Sequence, residues 1–501
     1  MKKIISVIAF VFVAHMAEAA TCESLTGLKL ENTTITVAQT IAAGAFAPPA
    51  GPRGRGGPEP QANPYRDLPA FCRVAATLTP SSDSDIKIEV WLPVSSWNMK
   101  FEAVGNGGWT GNIPYPALAA GIQRGYATAA TDTGHQGGSG SFALGRPEKL
   151  IDFAYRAVHE MTVKSKAIVD AYYGGGLKYS YWNGCSSGGK QGLKEAQKFP
   201  NDFDGIIAGA PANYWTHLTA GAAWVGQALN KSEGSYIPPA KYPLIHEAAI
   251  NACDSRDGVK DKLIDDPRKC KFDPKVLQCT GDDASTCLTA AQVETARALY
   301  TPTTNPRTKQ PILPGLEPGS ESGWGVVASR QPTSLGIDHW KYVVFKDPNW
   351  DYKTMDFDKD IALADKLDAD IGINAIDTNL KPFFAHGGKI IQFHGWADPL
   401  IPPETSVNYY ESVGKALGGL KQIKNDYRLF MVPGMDHCVG GDGPNTFDML
   451  TALEQWVEKG KAPDQIVAAK AGRTRPLCPY PQVAAYKGSG STDAAANFTC
   501  K

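Results

Sequence analysis

A chain of 501 residues is long enough for one large domain with a sizeable insertion, or for two or three domains. At 43% hydrophobic and 20% charged residues, its composition is that of an ordinary soluble globular protein rather than a disordered or fibrous one. A formal net charge of -1 excludes a global electrostatic case for nucleic acid or an acidic surface as partner.

The N-terminus reads as an export signal spanning residues 1–19. Lys2 and Lys3 supply positive charge, Ile4 to Val13 are nearly all apolar, and Ala17-Glu18-Ala19 forms a small-residue cleavage site. The apolar run is too short to span a bilayer comfortably, and no later stretch is long enough, so no membrane partner is expected. Ten cysteines follow the signal, and an even count in an exported chain favours disulfides. They allow about 945 pairings. Spacing points to Cys22–Cys72, Cys253–Cys270, Cys279–Cys287 and Cys478–Cys500, which leaves Cys185 and Cys438. No C-x-x-C pair supports a zinc site.

Ala47 to Pro64 is rich in Pro, Gly and Arg without an apolar period, and reads as a mobile, solvated loop. Strand patterns follow at Ile86–Leu92, Lys100–Val104 and Tyr126–Ala130. Ile151 to Tyr172 has helical spacing, with Phe153, Ala157, Met161 and Ile168 apolar, and Gly174-Gly175-Gly176 ends it. A strand at Tyr179–Asn183 leads through a turn into a helix from Gly188, and Ile206–Ala208 is another strand. Lys389–His394 and Tyr427–Val432 are later strands, and a helix carrying Leu450, Leu453 and Trp456 follows. Strands alternating with helices imply a largely parallel sheet in an α/β fold. From residue 212 to 385 the alternation breaks down. That long, aromatic, cysteine-bearing stretch reads as a lid domain inserted into a catalytic domain made of 20–211 and 386–501.

Gly184-Cys185-Ser186-Ser187-Gly188 is a G-x-S-x-G pattern. Alone it is weak, but a strand before it and a helix after it place the serine on a sharp, exposed turn. A serine nucleophile needs a base, and the base needs an orienting carboxylate. In the α/β-hydrolase fold the chain order is serine, acid, histidine. Asp398 and His437 lie just past the strands ending at His394 and Val432, where a parallel sheet presents such loops. Asp436 adjoins His437, but adjacent side chains rarely reach each other's far ring nitrogen, so Asp398 is preferred. His135 and His394 are rival bases that read better as structural or substrate-lining. The Ser187 amide and the Gly107-Gly108 amides, Gly108 above all, are candidate oxyanion donors. Cys185 precedes Ser186 and Cys438 follows His437, so a bridge between them would staple nucleophile to base.

These features resemble the tannase and feruloyl esterase family. The likeness rests on Gly105-Asn106-Gly107-Gly108-Trp109, His159-Glu160-Met161-Thr162, Asn183 to Gly189, His394-Gly395-Trp396-Ala397-Asp398 and Pro433 to Cys438. It covers nearly the whole mature chain and implies a carboxylic-ester hydrolase of the α/β-hydrolase fold. The preferred substrates are hydroxycinnamate or related phenolic esters, with gallate esters and a terephthalate monoester as alternatives. A binding protein on an inactive hydrolase scaffold, or a serine peptidase, is a remoter reading. Trp324, Trp340, Phe345 and Trp350 in the lid are candidates to clamp an aromatic acid, or else lid core. His394 and Ile401 are further pocket candidates. Asp254, Asp257 and Asp261, with the carbonyls of Val259 and Leu263, are spaced to wrap a hard cation. The resemblance implies a structural calcium there, although Lys262 stands where the family pattern often has Gly. No organic cofactor is expected.

Overall fold

The computed structural model describes residues 20–49 and 63–501. The export-signal reading at 1–19 and most of the loop at 47–64 lie outside these residues. Nine strands form one sheet: β1 (Thr33–Ile41), β2 (Phe71–Leu78), β3 (Ile86–Pro93), β4 (Lys100–Val104), β5 (Ala127–Thr131), β6 (Tyr179–Cys185), β7 (Gly205–Gly209), β8 (Lys389–Gly395) and β9 (Tyr427–Val432). Their spatial order is β1-β2-β3-β5-β4-β6-β7-β8-β9. The first three strands and β5 pair antiparallel. From β5 to β9 every pairing is parallel.

The sheet is therefore mixed, and β1 and β2 are strands that the sequence pattern did not reveal. β5, β7 and β9 are buried throughout, as expected for parallel strands covered on both faces by helices. One face packs on α2 (Ala157–Tyr173) and α3 (Ser187–Lys198), with Met161, Ile168 and Leu193 against Trp182 and Ile206. The other packs on Tyr126 of the α1 (Tyr115–Gln123) corner and on later helical residues including Leu453 and Trp456. Gly174, at φ 73°, caps α2 in the left-handed conformation that glycine adopts without a Cβ penalty.

The chain leaves the sheet after Gly209 and rejoins it at Lys389. Between them lie α4 (Trp215–Leu229), α5 (Tyr242–Cys253), α6 (Ala290–Tyr300) and α7 (Lys359–Ile371). This region has its own apolar clusters, one around Ile245, Leu299 and Trp324 and one around Trp340, Tyr352 and Ile361. Helices α8 (Glu404–Ala416) and α9 (Met449–Lys459) follow β8 and β9. The C-terminal residues form two small antiparallel pairs, Ile466–Lys470 with Arg473–Leu477 and Ala484–Tyr486 with Phe498–Cys500. Phe498 and Cys478 pack against Val259 of the inserted region. Five disulfides pair all ten cysteines: Cys22–Cys72, Cys185–Cys438, Cys253–Cys270, Cys279–Cys287 and Cys478–Cys500.

Candidate active site

β6 runs through Gly184 and Cys185 and turns at Ser186 directly into α3. Ser186 sits at φ 63°, ψ -123°, a backbone state that a residue with a Cβ holds only under constraint. The constraint is close packing of strand, turn and helix. A Cβ on Gly184 would lie 2.5 Å from the Gly188 carbonyl carbon, and one on Gly105 would lie 2.4 Å from Gly188 Cα. The Ser186 amide donates to the Gly209 carbonyl at 2.9 Å, and the Ser186 carbonyl accepts from Lys190 and Ala212 at 3.0 and 3.1 Å.

Asp398 is fully buried in the loop after β8. Its Oδ1 accepts the amides of Leu400 and Ile401 at 2.8 and 3.0 Å. Its Oδ2 faces His437 Nδ1 at 2.7 Å and His394 Nε2 at 3.0 Å. Burial alone would raise this carboxyl's pKa. The charge of His437 and the hydrogen bonds from both histidines outweigh it and hold Asp398 below the ordinary carboxylate range. His437 Nε2 is buried and has no hydrogen-bond partner among the described residues. The Cys185–Cys438 disulfide, with Cα atoms 6.1 Å apart, ties the residue before Ser186 to the residue after His437. Asp436 lies beside this pair, and burial with the charges of Asp442 and Asp398 pushes it up to about 6.

Gly108, at φ 52°, lies in the loop after β4. Its carbonyl accepts the Ser187 hydroxyl at 3.0 Å, so that hydroxyl fixes the peptide that follows Gly108. Asn106 donates to the Thr110 carbonyl at 2.8 Å and accepts from Gln191 of α3 at 2.9 Å. His135, the rival base, sits beside the Trp109 loop. It is buried, burial lowers its pKa, and its Nε2 lies 2.7 Å from the Trp109 carbonyl.

Gly108, Ser186 and Ser187 open into a cleft roofed by the inserted region. Leu218, Ala222 and Val225 of α4, Leu313, Leu335 and Ile401 line it. The side chains lining it are apolar, aromatic or hydroxyl-bearing. Of the pocket candidates from the sequence, Ile401 lines the cleft. Trp324 and Trp340 do not: both are fully buried in the cores of the inserted region. Phe345 and Trp350 stack on each other, 5.1 Å between centroids, against the Trp340 core. His394 is buried behind Asp398 and reaches no cleft surface. The apolar stripe of Leu218, Ala222 and Val225 at helical spacing was the available signal for the true wall, but periodicity does not tell a core face from a cleft face.

In the acidic loop, Asp254 Oδ1 accepts the amides of Asp261 and Lys262 at 2.9 and 2.8 Å. Asp257 accepts the Val259 amide at 2.9 Å, and Asp261 the Leu263 amide at 3.2 Å. Asp261 also pairs with buried Arg475. Asp265 is buried with Oδ1 unpartnered, and burial with the charges of Asp257 and Asp261 pushes it up to about 7. Four carboxylates around one buried guanidinium leave excess negative charge, although among the described residues only His159, Glu195 and Asp202 bring three such ligand atoms within 4.8 Å of one another. Lys262 has φ 67°, which accounts for glycine in the family pattern, and its side chain is exposed.

A second carboxylate cluster, His159, Glu195 and Asp202, brings its ligand atoms within 4.8 Å of one another. Burial, with the charge of neighbouring Asp202, pushes Glu195 well above the ordinary range.

The model of the family described as tannase and feruloyl esterase matches residues 72–501. The chain is 38% identical to an uncharacterized esterase from Xanthomonas campestris pv. campestris, covering 96% of this chain and 91% of that one. It is 37% identical to a probable feruloyl esterase B-1 from Aspergillus oryzae, covering 86% and 83% respectively. Among solved structures, feruloyl esterase B from Aspergillus oryzae superposes with a TM-score of 0.87 at 33% identity, over 96% of this chain and 99% of that one. Tannin acyl hydrolase from Aspergillus niger has a TM-score of 0.77 at 22% identity, over 94% and 92%, which shows the shared fold. An α/β-hydrolase fold, a constrained serine turn and this match over most of the chain lead to one assignment: the chain belongs to the tannase and feruloyl esterase family of carboxylic-ester hydrolases.

Proposed function

We propose that Ser186, His437 and Asp398 are a catalytic triad that hydrolyses uncharged phenolic esters, hydroxycinnamates foremost. The observation that carries this reading is the 2.7 Å His437–Asp398 contact, tied to the Ser186 turn by the Cys185–Cys438 bridge. Asp398 holds His437 with Nδ1 protonated, which leaves Nε2 as the base facing the nucleophile. Ser186 Oγ attacks the ester carbonyl carbon while His437 Nε2 takes its proton. The amides of Ser187 and Gly108 take the developing oxyanion. When the tetrahedral intermediate collapses, the C–O bond to the alcohol breaks and His437 returns the proton to it. Water, deprotonated by His437, then attacks the acyl-serine and frees the acid.

The inserted region 212–385 acts as the lid over this site and supplies the acyl wall. That wall offers no cation to a second carboxylate, which disfavours a terephthalate monoester. Burying an unpaired carboxylate costs several kcal/mol. Hydroxyls of Thr219, Thr301, Thr303 and Thr333 on the same wall keep gallate esters as the second reading. Asp254, Asp257 and Asp261, with the carbonyls of Val259 and Leu263, would hold a calcium ion whose chemistry is structural, as a charge that closes the loop. The five disulfides fit an exported protein made for an oxidising compartment. Among the described residues no helix is long and apolar enough to cross a membrane.

The test is a panel of methyl ferulate, methyl gallate and a terephthalate monoester, with wild type, Ser186→Ala and His437→Ala. The expected kcat/KM for methyl ferulate exceeds that for the monoester about a thousandfold or more, and both variants lose nearly all turnover. Equal rates on ferulate and monoester would overturn the substrate reading. Near-normal turnover by Ser186→Ala would overturn the triad.

A further inference from the structure

We propose that His394, held by Ser406, is a positioning residue for Asp398: it donates the second imidazole hydrogen bond to the carboxylate and sets how basic His437 is. The proposal rests on the triad reading above. His394 stands on β8 and is fully buried, as are Asp398 and Ser406, the latter in the first turns of α8. Its two ring nitrogens have different neighbours. Nε2 faces two acceptors, Asp398 Oδ2 at 3.0 Å and the Ile401 carbonyl at 3.1 Å. Neither can donate, so Nε2 carries the hydrogen. Nδ1 lies 2.7 Å from the Ser406 hydroxyl, which is able to donate. With Ser406 donating to Nδ1, the ring keeps its Nε2 hydrogen directed at Asp398. Without that hydroxyl, the ring is free to move its proton to Nδ1 and turn a lone pair toward the carboxylate.

The consequence reaches the base. Asp398 has about four lone-pair sites, and it receives four donors: the Leu400 and Ile401 amides on Oδ1, and the two histidines on Oδ2. Every direction in which the carboxylate could turn is taken. The His394 donor also spreads the carboxylate's charge, so Asp398 stabilises the His437 imidazolium less than a bare carboxylate would. Other charged groups face the same pair. Asp436 and Asp442 lie on the His437 loop, and His246 of α5 reaches Asp442 at 2.8 Å.

The experiment is the acid limb of kcat/KM against pH on methyl ferulate. It compares wild type, Ser406→Ala, His394→Leu and His394→Gln, each also in an Asp436→Asn background that removes the nearest competing titration. A fluorophosphonate labelling Ser186 counts intact sites, so a variant that misfolds is scored per labelled molecule. Ser406→Ala and His394→Leu should lower kcat about tenfold or more with KM changed less than twofold, and move the acid limb up by on the order of half a pH unit. His394→Gln, whose amide can place a donor near the Nε2 position, should restore both in large part. Wild-type limbs and rates in Ser406→Ala and His394→Leu would overturn the proposal, as would lower kcat with an unmoved limb, which is the mark of packing alone. A His437→Ala enzyme that still turns over would instead sink the triad reading itself.

Discussion

Removing the Cys185–Cys438 bridge should damage the rate more than any other disulfide does. The bridge closes 253 residues, and in the chain-entropy model that constrains the unfolded chain by about 5 kcal/mol. The Cys478–Cys500 bridge closes 22 residues, worth about 3 kcal/mol on the same model. Both losses appear as lower melting temperatures. The difference is where the freed chain lies. Cys185 adjoins Ser186 on the constrained turn, and Cys438, itself at φ 65°, adjoins His437. A proton transfer between serine and imidazole depends on reach, and a misplacement near 1 Å costs on the order of a hundredfold. The assay compares Cys185→Ala/Cys438→Ala with Cys478→Ala/Cys500→Ala, both at a temperature where circular dichroism shows them folded. Turnover of methyl ferulate is divided by the sites that a fluorophosphonate labels at completion. The first variant should lose about tenfold to a hundredfold per site, and the second should stay within twofold. Equal losses in the two, or a first variant within twofold of wild type, would refute the reasoning.

His246 joins the roof to the His437 loop, with Nδ1 3.0 Å from buried Glu321 and Nε2 2.8 Å from Asp442. Burial opposes its charge, but hydrogen bonds to Asp442 and Glu321 and their charges prevail and push its pKa up to about 10. A raised folded-state pKa stabilises fully below the unfolded value of about 6.5, and that stability is lost as pH rises toward 10. The melting temperature of wild type should therefore fall between about pH 6.5 and 10 more steeply than that of His246→Gln, and parallel curves would exclude the ion pair as a stabiliser. Chelation with EDTA should lower the melting temperature before it lowers activity at mild temperature, and Asp257→Ala should remove that sensitivity; dialysed protein without calcium by metal analysis would exclude the ion.

The order proposed for Ser186, Asp398 and His437 can be read from the sequence because each signal is local. A glycine-bracketed serine between strand and helix, and an acid and a histidine each just past an apolar strand, are patterns of neighbouring residues. The two cysteines beside Ser186 and His437 added a long-range clue that few sequences carry. The contact of His394 with Asp398 was not legible, because a histidine near the end of a strand reads alike whether it faces a cleft or backs a carboxylate. Of the two readings of the four lid aromatics, lid core is the one their packing fits, and the sequence left the two open for a related reason. Trp324 and Trp340 lie in helical turns of only six residues each, too short for a period to assign a face, and the region has enough chain to build cores of its own around them. β1 was missed because Thr33, Thr34, Gln39 and Thr40 interrupt its apolar residues, as suits an edge strand with little burial.

The pairing of Asp261 with Arg475 spans 214 residues of chain. Synthesis and export both proceed from the N-terminus, so the roof's acidic loop emerges long before the arginine that neutralises it. Phe498 and Cys478, which cover Val259, come later still. The roof is thus finished by the last segment to arrive, and until then its carboxylates stay hydrated and its apolar face open. A chain interrupted before Arg475 would have its sheet complete and its acidic loop still uncovered.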